Sequence, residues 1–243
     1  DPEVIRSNNL KAGPDEVMRA IATVNEVGGG RRDGIPDLLP GLNFIAGLAG
    51  ETKATFVKNE QFLARVLASG LMVRRVNIRQ LMPFEGTRAY TDNTLKEHPR
   101  QFRAFKENVR KNFDLPMLKR VFPVGTILRE IIIEVEGNLS FGRQMGSYPI
   151  LAGIPLPLAK RTILDAVVVD HGMRSVTALP VPVHVNLLPL TALKWIPGIN
   201  ANIAARIAGA RPIAGLGEFR SIAGTTPIDH LLAFTSPSVL LPS

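Results

Sequence analysis

Apolar residues recur along this chain at two periods, and the period changes at two places. Between Pro14 and Gly28, Val17, Ile21 and Val24 stand three and four apart, the stripe of an amphipathic helix. Pro14 suits that helix's first turn, and Asp15 and Glu16 suit its dipole. "LNFIAGL", from Leu42, is a short apolar run bounded by glycines and reads as a strand. "ETKATFVKNEQFLARVLASG" returns to helical spacing, offering Phe56, Phe62, Leu63, Val66 and Leu67 for burial and ending at Gly70. "EVIRSNNL" before these elements and "MVRRVNIRQLM" after them read as further strands. A strand–helix–strand–helix–strand order implies parallel strands with right-handed crossovers. Three strands cannot close a barrel, so they belong to a larger sheet. "PRQFRAFKENVRKNF" then gives a helix with Phe102, Phe105, Val109 and Phe113 on one side. Arg100, Arg103, Lys106, Arg110 and Lys111 fill its remainder, as a solvated face or a nucleic-acid contact.

From about residue 121 the period shortens to two. "GTILREIIIEVEG", "ILAGIPL", "ILDAVVVDHG" and "SVTALPVPVHVN" are short strands between Gly, Pro and Asn turns, the grammar of a small closed or half-closed β-barrel. Between them "SFGRQMGSYPI" reads as a glycine-bearing loop that exposes Arg143 and Tyr148 to phosphate or base. From residue 189, "PLTALKWIPGINANIAARIAGARPI" gives a short helix, a Pro-Gly turn and a second helix, the helix-hairpin-helix pattern. In that pattern the free N–H groups opening the second helix face a phosphate. The residues for it here are Gly198, Ile199, Asn200 and Asn202, with Lys194 and Arg206 as nearby cations. Asn200 stands where a second glycine is usual, and asparagine tolerates the left-handed conformation.

Composition narrows the chemistry. The 243 residues are 45% hydrophobic and 21% charged, as in an ordinary globular protein. Net charge is +8 and the pI is near 10.2, which favours acidic partners, nucleic acid first among them. With no cysteine, the chain offers no disulfide, no thiolate nucleophile and no thiolate metal ligand. The four histidines, His98, His171, His184 and His230, lack metal-ligand spacing. Proline, glycine and asparagine interrupt every long uncharged stretch, so no membrane span and a cytoplasmic location are expected.

With these pieces in place, "LNFIAGLAGET", its helix and "RRVNIRQLMPFEGTRAY" resemble the later half of a radical SAM barrel. The three-part order is similar to archaeal radical SAM proteins with a C-terminal helix-hairpin-helix motif, and the middle resembles the TRAM-type barrel of tRNA methylthiotransferases. The resemblance implies a partial TIM-like α/β barrel over residues 1–120, a TRAM/OB-like β-barrel over 121–188 and a helix-hairpin-helix domain over 189–243. It also implies an enzyme that binds S-adenosylmethionine and a 4Fe-4S cluster and modifies RNA, either tRNA or rRNA. Ser7, Asn8 and Asn9 would lie near the ribose. Asn43, Ile45, Gly47, Gly50 and Glu51 would form the adenosine-facing strand and its turn. Arg75, Asn77 and Arg79 would make a polar row inside the barrel. The superfamily's cluster is held by a CxxxCxxC loop near the start of the barrel. That loop is expected in a missing N-terminal half, and this polypeptide alone is not expected to reduce the cofactor. The alternative is a nucleic-acid-binding module on a degenerate scaffold without chemistry.

Overall fold

Asp1 accepts the Glu3 N–H at 3.2 Å, and Pro2 follows at the first helical position, so the chain opens as a helix. This is α1 (Pro2–Ser7), where the sequence predicted a strand. The cap and the proline outweigh the strand-like look of Val4 and Ile5. A computed structural model describes residues 1–146 and 149–234 and divides into two compact units, Asp1–Val121 and Phe122–Ser243.

The first unit continues with α2 (Pro14–Gly28), a small hairpin of β1 (Arg31–Arg32) and β2 (Ile35–Pro36), β3 (Gly41–Ala46), α3 (Lys53–Ala68) and β4 (Arg75–Gln80). It ends with α4 (Arg88–Thr91), α5 (Pro99–Val109), a π turn (Arg110–Asp114) and α6 (Leu115–Val121). Strands β3 and β4 pair in parallel, in register from Gly41 with Arg75 to Ala46 with Gln80. With α1 helical, the expected run of three strands reduces to these two. One face of the pair is buried through Leu42, Ala46 and Val76. Phe44 meets the ring of Phe105 edge-on at 5.7 Å, and Phe56 packs on the same ring at 5.8 Å. Phe105, Val109, Phe113, Met117 and Val121 are all buried and stand four apart. A straight α-helix drifts over such a series, and the wider π turn resets the stripe. Pro116 lies just beyond it, and a proline ring clashes with the carbonyl four residues back in a regular helix, here that of Asn112 inside the wider turn.

The second unit opens with β5 (Ile127–Val135), β6 (Ser140–Arg143), β7 (Leu151–Ile154), β8 (Ile163–His171) and β9 (Ser175–Pro180). They close into a barrel in the order β5-β6-β7-β9-β8, with β7 and β9 parallel and the other pairs antiparallel. Residues 140–143, expected in a loop, are barrel strand β6. Gly142 permits this, because a Cβ there would lie 2.5 Å from the Ile132 carbonyl oxygen. After β10 (Val183–His184) come α7 (Leu190–Leu193), α8 (Ala201–Gly209), α9 (Leu216–Ala223) and β11 (Leu232–Ala233), which pairs in parallel with β10. Val167, Val169 and Leu179 of the barrel share one buried core with Leu193, Ile196, Ile199, Ile207, Phe219 and Ile228. The barrel and the C-terminal helices therefore share one core within one compact unit.

No helix among the described residues is long and apolar enough to cross a membrane. They also contain no cluster of His, Asp and Glu able to hold a metal ion.

Candidate functional site

Parallel α/β sheets gather ligands at the carboxyl ends of their strands, where successive loops converge. In the first unit a cleft of about 290 Å³ opens there, lined by Ser7, Asn8, Asn9, Ala49, Leu81, Arg88, Ala89 and Asp92. The end of α1 brings Ser7, Asn8 and Asn9 to it. The Asn8 amide donates to the carbonyls of Val4 and Ala49, both at 2.8 Å, which ties α1 to the turn after β3. Ser7 Oγ donates to Glu3 Oε1 at 2.9 Å, and Asn9 adopts a φ of +51°. Arg88 and Asp92 form an ion pair at 2.9 Å on the cleft wall. Sequence reasoning missed this pair, although a cation and an anion four apart after a strand were the available signal.

The other proposed cofactor residues fall into two groups. Asn43, Ile45, Arg75, Asn77 and Arg79 share the face of the sheet opposite Leu42 and Val76, as strand alternation requires. Ile45 is 48% exposed, and Asn77 donates to Asn43 across the strands at 3.0 Å. Gly47, Gly50 and Glu51 instead build the turn and do not line the cleft. Gly47 has a φ of +93°, and a Cβ on it would lie 2.5 Å from Leu95 Cδ2. The space beside Gly47, on the strand expected to face adenosine, is thus filled by Leu95 of the same chain. Gly50 (φ +77°) faces Glu3 and Ser7 of α1 in the same way. Glu51 precedes the helix cap Thr52 and turns inward, only 6% exposed. Its Oε1 accepts the Gly47 N–H at 3.1 Å. Burial pushes its carboxyl above the usual glutamate range, against the opposing pull of that N–H and of His98. His98 Nε2 lies 3.3 Å from the Glu51 carbonyl, which can only accept, so Nε2 carries the proton. Its Nδ1 is then buried with no partner among the described residues.

In the second unit the predicted contacts separate. Arg143 lies half-buried on β6 and is ion-paired with Glu134 of β5, so it is not an exposed loop cation. Tyr148 lies outside the described residues. The helix–turn–helix from α7 to α8 is formed, with Gly198 at a φ of +87° and exposed, and Ile199 buried in the core. Asn200 is not left-handed. It is the extended cap of α8 (φ −91°), and its side chain accepts the Ile203 N–H at 2.9 Å. Asn202 follows, exposed, on the first turn of α8. The backbone N–H groups of Ala201 and Asn202 have no partner among the described residues, because the first N–H groups of a helix have none within it. Lys194 and Arg206 are exposed and have no ion-pair partner among the described residues.

No protein-family model matches the chain. It is homologous to two archaeal proteins, both described as uncharacterized. One, from Archaeoglobus fulgidus, is 41% identical over 234 residues, which is 95% of this chain and 44% of the relative. The other, from Methanocaldococcus jannaschii, is 47% identical over 183 residues, 73% of this chain and 34% of the relative. The chain thus spans less than half the length of these curated relatives.

Proposed function

We propose that this chain is the C-terminal part of a radical SAM iron–sulfur enzyme that modifies RNA, and that its helix–turn–helix is a helix-hairpin-helix contact to the RNA backbone. The observation that carries the reading is the cleft at the carboxyl ends of β3 and β4, where Ser7, Asn8 and Asn9 meet the turn after β3. The row of exposed Asn43, Ile45 and Arg79 with half-buried Asn77 continues from it along the sheet. Polar donors and acceptors around a small cleft fit the ribose and amino-acid ends of S-adenosylmethionine, and Ile45 supplies an apolar contact for the adenine. When bound, the cofactor and its cluster supply the one-electron chemistry. The chain has no cysteine, so thiolate ligands for a cluster lie outside it. In the second unit the free N–H groups at the start of α8, the helix dipole, Lys194 and Arg206 suit a phosphate.

The test uses the full-length protein with its cluster rebuilt. Asn9 is the variant of choice, because its φ of +51° accepts glycine without strain. Asn9→Gly should weaken S-adenosylmethionine binding at least tenfold by calorimetry and leave RNA affinity at the parental level. Parental cofactor affinity in the variant would place the cofactor elsewhere. A rebuilt parent that binds no S-adenosylmethionine would end the radical SAM reading.

A further inference from the structure

The positive charge of this chain is unevenly placed. Residues 122–188 carry five Lys and Arg against five Asp and Glu, so the barrel is neutral. Most of the excess lies in the first unit. Many of its cations are already engaged there. Arg6, Arg19, Arg32, Lys58, Arg65 and Arg88 are paired with carboxylates. Arg31 and Arg120 donate to backbone carbonyls.

The outer face of α5 and its π turn differs. Arg100, Arg103, Arg110 and Lys111 are exposed on it, opposite the buried Phe105, Val109 and Phe113, with no ion-pair partner among the described residues. Lys106 joins them from the flank, its ammonium 5.3 Å from the Phe102 ring. Glu107 is the one carboxylate between Pro99 and Lys111. Local helix energetics do not explain this arrangement, since Arg100 and Arg103 occupy the end of α5 where the dipole disfavours cations. No large apolar side chain between Tyr90 and Val124 is exposed among the described residues, so the face lacks the aromatic anchors of a protein interface. Arg100 to Lys111 spans roughly 16 Å at the helical rise. That length is enough to meet several successive phosphates of one strand.

We propose that this face is a second nucleic-acid contact, which holds the phosphate backbone of the RNA in the first unit. The inference rests on the RNA part of the function proposed above, and adds a site separate from the helix–turn–helix. Arg103→Ala with Arg110→Ala removes two exposed charges. Lys11→Ala with Lys160→Ala removes two exposed charges elsewhere and serves as the control. Binding of a mixed-sequence single-stranded RNA is measured against salt by fluorescence anisotropy, after thermal melting shows each variant folded. The α5 variant should bind more weakly, with a log–log salt slope shallower by about 1.4, two counts of a single-strand contact. The control should keep the parental slope. An unchanged slope in the α5 variant, or an equal loss in the control, overturns the site. A third variant, Gly198→Ala, separates the two readings. If it alone weakens binding, the helix–turn–helix stands and the α5 site fails. If the parent chain does not bind RNA at low salt, both fail.

Discussion

Burial of the Glu51 carboxylate gives the first unit a pH signature. Its pKa is raised by that burial, so between the ordinary glutamate value and the folded value the native state holds a proton that the unfolded chain has released. Stability from this residue is therefore fully present in acid and falls as pH rises through that window. Glu3, Glu16 and Asp92 have lowered values and act in the opposite sense, so a paired comparison is needed. Glu51→Gln keeps an acceptor for the Gly47 N–H and removes the charge. Melting temperatures across a pH series should show the parent losing ground to Glu51→Gln as pH rises, and parallel curves would mean that the carboxylate is solvated. Gly47 carries a second expectation at this scale. Gly47→Ala should cost about 1–2 kcal/mol from its positive φ alone, plus the contact with Leu95, measured by urea unfolding. Adding Leu95→Ala should recover only the contact part. A bulkier Gly47 variant would disturb the fold itself, so it cannot report on cofactor binding. The sequence carried the need for glycine at 47 but not its cause, because Leu95 is 48 residues away and nothing local announces the contact.

Among the elements, those with an extended periodic stripe could be read directly. Helices α2 and α3 follow their apolar spacing, and β3, β4, β5 and β8 follow their apolar runs. The failures are short elements decided by one or two residues. Helix α1 rests on the cap at Asp1 and on Pro2, and these outweighed the strand-like Val4 and Ile5. Strand β6 has only four residues, and its glycine looked like a turn until a neighbouring strand was found packed against it. The π turn was invisible for a related reason. Steps of four between Phe105 and Val121 resemble an ordinary helical stripe, and only the winding of the turn shows that they need one residue more. At the candidate site, the polar rows on β3 and β4 were legible from strand alternation. Arg88 and Asp92 were not, since their place depends on where the loop after β4 returns.

At the scale of the whole chain, the second unit has one core where the sequence suggested two domains. A chain ending at residue 188 would keep all five barrel strands. It would also uncover Val167, Val169 and Leu179, each at most 5% exposed in the intact unit. Such a truncation should aggregate, or melt well below the parent in differential scanning calorimetry, and a monodisperse product with parental stability would show the barrel to be autonomous. The shared core also bears on how the chain is made. A ribosome delivers roughly 5–20 residues per second. Ile228 follows the end of β9 by 48 residues, so the finished strands wait several seconds, on the order of 2–10 s at that rate, for the helices that cover them. Over that interval a nascent barrel presents an apolar wall to the cell, and its companion through synthesis is whatever binds such surfaces first.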